Sequence, residues 1–210
     1  MTGGHPELVR LAEVMHRLRQ GCPWDAAQTH ESLVHYLIEE TLEVVEAVES
    51  GDDEHLIEEL GDLLLQVYFH AEIGAETGRF DLEAVAAGIS DKLVARHPYV
   101  FTDAAVPDDL NASWERAKAV EKGRASVLEG IPERMSALSR AHKVLSRASS
   151  HGLELQLPAA PERLDSAAEL GASLLALVVR AQELGIDPEQ AARVAVRGLE
   201  QQVRELEAGL

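Results

Sequence analysis

Thirty-three consecutive residues, LIEETLEVVEAVESGDDEHLIEELGDLLLQVYF (37–69), constrain the fold more than anything else in the chain. On either side of Gly51, Asp52 and Asp53 the leucines, isoleucines and valines recur every three or four positions, which is the period of an amphipathic helix rather than a strand. Thr29 is placed to cap the first helix, which runs to Ser50 and stops at Gly51. Asp52 or Asp53 caps the second, which runs to Thr77 before Gly78. Two long helices joined by so short a polar turn form an antiparallel hairpin.

The rest of the chain follows the same period. Residues 5–19 carry Leu8, Leu11, Val14, Met15 and Leu18 on one helical face, and QGCPWDAAQ breaks that helix through Gly21 and Pro23. A further helix is expected from Asp81 to Arg96, ended by Pro98. The stretch 98–112, with two prolines, three aspartates and an asparagine, reads as a surface linker. Helices resume at 110–122, 133–149, 162–184 and 188–207, the last opened by Asp187, Pro188 and Gln190 as cap, first-turn proline and capping-box partner. The fold class is all-α: a helical bundle whose hairpin carries the acidic residues. An internal echo, EELGDLLLQVYFHAE (58–72) against AELGASLLALVVRAQ (168–182), points to a duplicated unit. Its second copy is degenerate, because Ala168 and Ala172 stand where Glu58 and Asp62 stand in the first.

The hairpin poses an electrostatic problem. Between Arg19 and Arg79 there is no lysine or arginine, while fifteen carboxylates lie in that interval. Glu39, Glu40, Glu43 and Glu46 share one face of the first helix, opposite Leu33, Leu37, Val44 and Val48. On the second, Glu59 and Asp62 are one turn apart with Glu58 adjacent, and Asp62 opens an apolar run. With the turn near 51–53, position 43 lies level with about 60, so the two acid sets face each other. A solvated acidic face is one reading of such a pattern. The absence of basic partners, the adjoining apolar run and the matching sets favour another, in which a divalent cation offsets charges that otherwise repel and desolvate. Carboxylate oxygens without convergent Cys or His suit Mg²⁺, or Mn²⁺, better than Zn²⁺.

Composition excludes several classes. A net charge of −18 argues against nucleic acid or an anionic membrane as the main partner. No apolar run is long enough to span a bilayer and MTGGHPELVR does not read as a signal peptide, so a soluble, cytoplasmic protein is expected. The single Cys22 forms no internal disulfide.

The acid pattern, EETLE (39–43), fifteen residues and then ELGD (59–62), resembles that of the MazG-type nucleoside triphosphate pyrophosphohydrolases of the all-α NTP pyrophosphatase superfamily. GCPWDAAQT (21–29), GRFD (78–81), ISDKLVARHPYVF (89–101) and WERAK (114–118) are also similar to that family, in its order. The resemblance implies hydrolysis of nucleoside triphosphates to monophosphate and pyrophosphate. It implies Glu40, Glu43, Glu59 and Asp62 as ligands of Mg²⁺, with Glu39 and Glu58 holding a second ion or orienting the attacking water. It makes Lys92 and Arg96 the phosphate-binding cations, and Trp114 and Lys118 the base- and phosphate-contacting residues. Lys92 and Arg96, one turn apart, are able to reach one triphosphate together, although the same spacing also suits two charges balancing a helix C-terminus. Trp24 and Cys22 are expected to be packing residues.

The activity is therefore expected in residues 1–122, with 123–210 a non-catalytic repeat serving as scaffold or oligomerisation surface. A homodimer or larger assembly is expected, since the helices have more than one apolar face to bury. The alternative function is a nucleotide-sensing or partner-binding helical module with little turnover.

Overall fold

The computed structural model of the protein describes residues 4–110, 113–114, 117–118, 121, 123, 126–153, 155–157, 161 and 164–208, with side chains described as far as residue 198. Among the described residues every regular element is a helix, and none is long and apolar enough to cross a membrane. The chain divides into two compact units, Met1–His97 and Pro98–Leu210.

The first unit contains α1 (Pro6–Gly21), α2 (Pro23–Ala27), α3 (Val34–Ser50), α4 (Asp53–Glu76) and α5 (Leu82–Arg96). The hairpin of α3 and α4 is its most extensive packing, with α1 laid against α4. Gly51, at φ 74°, adopts the left-handed conformation that lets its N–H reach Ala47 O and end α3. Asp52 then caps α4 through Oδ1, which accepts from the N–H groups of Glu54 and His55 at 3.0 and 3.2 Å. Asp81 caps α5 in the same way, accepting from Ala84 N–H at 2.8 Å. The core is Met15 from α1, Leu33, and Tyr68, Phe69 and Ile73 from α4, closed by Leu11, Tyr36, Leu64, Leu65 and Leu82. Each such side chain contributes about 1.5–3 kcal/mol by leaving water, which ties α1 and the entry to α3 onto one face of α4.

Three local expectations are corrected. α3 starts at Val34, not just after Thr29. Thr29 and Ser32 instead hold each other, each backbone N–H donating to the other's hydroxyl oxygen at 2.9 and 3.2 Å, so that turns fill 30–33. The break after α1 encloses a helical turn of its own, α2, because Pro23 at its start loses no hydrogen bond there. The supposed linker likewise begins with a short helix, α6 (Pro98–Phe101).

The second unit contains α6, α7 (Ala137–Ser150), α8 (Ala167–Glu183) and α9 (Pro188–Ala208), the last three packed on one another. α7 and α8 begin a few residues later than the periodicity suggested, at serines whose hydroxyls accept from Ser139 and Glu169 N–H. Asp187 caps α9 as expected, accepting from Gln190 N–H at 2.8 Å. Ile131, Leu145, Ala148 and Val178 form the buried apolar set of this unit. Arg147 is buried beside them and donates to the carbonyls of Val127 and Glu129 at 3.0 and 2.7 Å. Of the helix expected at 110–122, Leu110, Ser113, Trp114, Ala117, Lys118 and Glu121 are described, and all are helical. The remainder of it lies outside the described residues.

Candidate metal centre

The hairpin brings acids from both of its helices to one point. Glu40 and Glu43 stand one turn apart on α3, and Glu59 stands near the start of α4, two turns after the Asp52 cap. One carboxylate oxygen from each of the three lies within 4.8 Å of the other two. Mg²⁺ or Mn²⁺ holds oxygen ligands at about 2.1 Å, so opposite ligands are about 4.2 Å apart, and small side-chain rotations bring this triad onto one ion. The donor set is all carboxylate, which fits a hard dication.

Burial and charge agree. Glu59 is only 8% exposed, unusual for a carboxylate, while Glu40 and Glu43 are half-buried. The Glu40 carboxyl is pushed above the usual glutamate range, first by desolvation and then by the charges of Asp62 and Glu43, a hydrogen bond with Glu43, and the charge of Glu59. Asp62 therefore belongs to the same electrostatic cluster, one turn beyond Glu59 and half-buried. Every group that acts on Glu40 here is itself an acid, so a cation bound among them gains the attraction of all four.

The other expected site residues are placed differently. Glu39 and Glu58 are exposed, each beside a member of the cluster in sequence. Lys92 and Arg96 are half-buried on α5, where all other side chains after Leu82 are exposed. Trp114 and Lys118 belong to the second compact unit, one turn apart and half-buried. Trp24 is 52% exposed and not packed away as expected. The α2 turn sets its ring edge-on to Tyr36 and Phe69, with centroids 5.9 and 6.4 Å apart, and leaves the rest in water.

One contact was not anticipated: His55 Nε2 lies 2.9 Å from Glu59 Oε1 across one turn of α4. The signal for it was present, since His55 and Glu59 are i, i+4 neighbours.

Comparison with known proteins follows the same residues. Residues 28–101, which span all four acids together with Lys92 and Arg96, match the model of the MazG nucleotide pyrophosphohydrolase domain. A nucleoside triphosphate pyrophosphohydrolase/pyrophosphatase MazG of Thermotoga maritima is 38% identical over 94% of this chain and 84% of its own length. A nucleoside triphosphate pyrophosphohydrolase of Escherichia coli K12 is 37% identical over 96% of this chain and 87% of its own. A crystal structure of a MazG-related protein from Thermotoga maritima, 30% identical, covers 52% of this chain and 97% of its own with a TM-score of 0.46.

Proposed function

From the premise that the chain belongs to the MazG nucleotide pyrophosphohydrolase family, we propose that it is an enzyme hydrolysing nucleoside triphosphates, ribo and deoxy, to the monophosphate and pyrophosphate, in a house-cleaning role. The observation that carries this reading is the convergence of Glu40, Glu43 and Glu59 across the α3–α4 hairpin. Water supplies the oxygen, and the anhydride bond between the α- and β-phosphates breaks.

In this reading Glu40, Glu43, Glu59 and Asp62 hold Mg²⁺, with Mn²⁺ able to replace it. The bound ion supplies polarisation of the phosphate oxygens and offsets charge on the departing pyrophosphate. Glu39 and Glu58, which remain hydrated, orient the attacking water and accept its proton, or assist a second ion. Lys92 and Arg96 clamp the triphosphate, adding positive charge where negative charge grows. Trp114 contacts the base and Lys118 a phosphate. Residues 1–122 carry the activity, and 123–210, whose acids are replaced by Ala168 and Ala172, act as scaffold or oligomerisation surface.

A homodimer or larger assembly is part of the same reading. Ile38, Leu42, Ile57 and Leu60 on the hairpin are exposed, Ile57 to 72%, and such surface is most cheaply covered by another copy. Light scattering after size-exclusion chromatography tests it, a monomer being the contrary result.

The test of the activity is pyrophosphate release from a nucleotide panel with Mg²⁺ and Mn²⁺ compared. Glu43→Gln and Asp62→Asn are expected to abolish release with helicity intact. Unchanged activity in both variants removes the reading. Tight nucleotide binding with no product after hours replaces it with a sensing module.

A further inference from the structure

We propose that Gln66 determines specificity, its amide oxygen accepting a hydrogen bond from a sugar hydroxyl or a base N–H of the bound nucleotide. The inference rests on reading the chain as a nucleoside triphosphate pyrophosphohydrolase with its metal at the acidic cluster. Among the described residues of the first unit, only two buried side-chain polar atoms have no hydrogen-bond partner, Gln66 Oε1 and His30 Nε2. Both belong to the side of α4 that carries the acids.

Helical geometry places them there. Glu59, Asp62, Gln66 and His70 follow one another in steps of three or four residues and so form one stripe of α4. Contacts across the hairpin fix both ends of that stripe: Glu59 converges with Glu40 and Glu43, and His70 Nδ1 meets His30 Nδ1 at 2.7 Å. Gln66 stands between these contacts, one turn beyond Asp62, and is 4% exposed. Long side chains on a helix lean back over residue i−4, which here is Asp62. From Glu59 to His70 the stripe runs about 16 Å, with acids at one end and neutral polar groups at the other.

A buried amide oxygen without a donor destabilises a fold, so such a group calls for a functional explanation. The donors available on the substrate supply one. A magnesium-bound triphosphate is ionised and offers only acceptors, whereas the nucleoside carries hydroxyl and N–H groups. The acids therefore suit the metal and the phosphates, and Gln66 suits the nucleoside. A ligand that lacks the matching donor leaves the amide buried and unpaired, which is how one acceptor discriminates.

The experiment is calorimetric titration of the full-length protein, wild type and Gln66→Met, in the presence of Mg²⁺. Met keeps the length and shape of the side chain but removes the amide. The ligands are inorganic tripolyphosphate and cleavage-resistant α,β-methylene nucleoside triphosphates of each base, in ribo, 2′-deoxy and 3′-deoxy forms. The analogue that wild type binds best is expected to bind Q66M about tenfold more weakly, with tripolyphosphate affinity unchanged. The ligand-free melting midpoint of Q66M should rise by about 2–4 °C, because the unpaired amide is gone. A matching loss by wild type for one deoxy form identifies a sugar hydroxyl as the donor, and no such loss identifies a base N–H. Equal nucleotide affinity in the two proteins overturns the role of Gln66 while leaving the enzyme reading standing. An equal loss for nucleotide and tripolyphosphate also overturns it, because the effect then belongs to the metal end. A lower midpoint in Q66M overturns the premise that the amide is unpaired. Binding of no nucleotide by wild type removes the pyrophosphohydrolase reading and this inference together.

Discussion

His30 and His70 meet nitrogen to nitrogen: their Nδ1 atoms are 2.7 Å apart, with the rings 6° from parallel. One Nδ1 donates and the other accepts, so the contact survives only while one of the two nitrogens lacks a proton. The pair joins the turn before α3 to the C-terminal part of α4, and Phe80 stacks on His30 at 6.0 Å.

Acid should loosen this junction. Burial, and then the charge of His30, push the His70 imidazole below the ordinary histidine range, while the adjacent Glu31 feels the charges of both His30 and Arg79. A pKa lower in the folded than in the unfolded state means that stability is complete above about pH 6.5 and declines as pH falls through the folded value. Because the rings are partly exposed, the expected loss is below about 1 kcal/mol, or about 2–4 °C in midpoint. Melting curves between pH 5 and 8 should show a decline that His70→Asn flattens. A decline of equal slope in that variant contradicts the account.

Gly74 admits no side chain. A Cβ built there lies 2.7 Å from both the ring and the carbonyl oxygen of Phe80. Gly74→Ala is therefore expected to destabilise by about 1–3 kcal/mol in urea titration, despite alanine's better helix propensity. Phe80→Ala in the same chain should recover only part, because the backbone clash remains.

Arg19 ties three segments together. Its guanidinium bonds both carboxylate oxygens of Glu76, at 2.5 and 2.7 Å, as well as the carbonyls of Asp25 and Gln28, and its Cζ sits 5.6 Å from the centre of the Phe69 ring. The hydrogen bond to Arg19 holds the Glu76 carboxyl below the usual glutamate range. A depressed carboxyl contributes stability above its unfolded pKa of about 4.5 that disappears as pH falls through the folded value. Arg19→Gln should cost about 2–3 kcal/mol at neutral pH and shrink that acid-side loss. Lysine restores little, since it has no planar fork to match the carboxylate. Denaturation at pH 7 and pH 4 measures both effects.

The acidic cluster predicts opposite effects on binding and on metal-free stability. Glu40→Gln removes one of several mutually repelling charges, so the metal-free midpoint should rise slightly. Metal affinity and turnover should fall, turnover by at least about a hundredfold. For wild type, Mg²⁺ at a hundred times its dissociation constant should stabilise by about 2.7 kcal/mol, reversed by chelation. A midpoint indifferent to Mg²⁺ and Mn²⁺ contradicts the site.

What could be read without coordinates was periodic and local. The hairpin, its polar turn, a cap at Asp52 or Asp53, a helix starting near Asp81, the Asp187 cap, and the placing of Glu40 and Glu43 on one helical face and Glu59 and Asp62 on another depend on residues within a turn or two of each other. Helical geometry converts such spacings directly into faces. The late start of α3 was obscured because Thr29 and Ser32 satisfy each other before any helix begins. Trp24 looked like core because aromatic character does not reveal which side of a ring another helix will cover.

The linear order of residues thus determined an all-α chain with two acid sets on adjoining helices, because backbone hydrogen bonding and the 3.6-residue period act over short distances in sequence. The hairpin register already set the two acid sets face to face; only packing decided that His30 finds His70, that Phe80 closes over Gly74 and that Arg19 reaches Glu76. Those contacts depend on how far and at what angle whole helices approach. That is set by the combined shape of the buried side chains rather than by any one stretch of sequence.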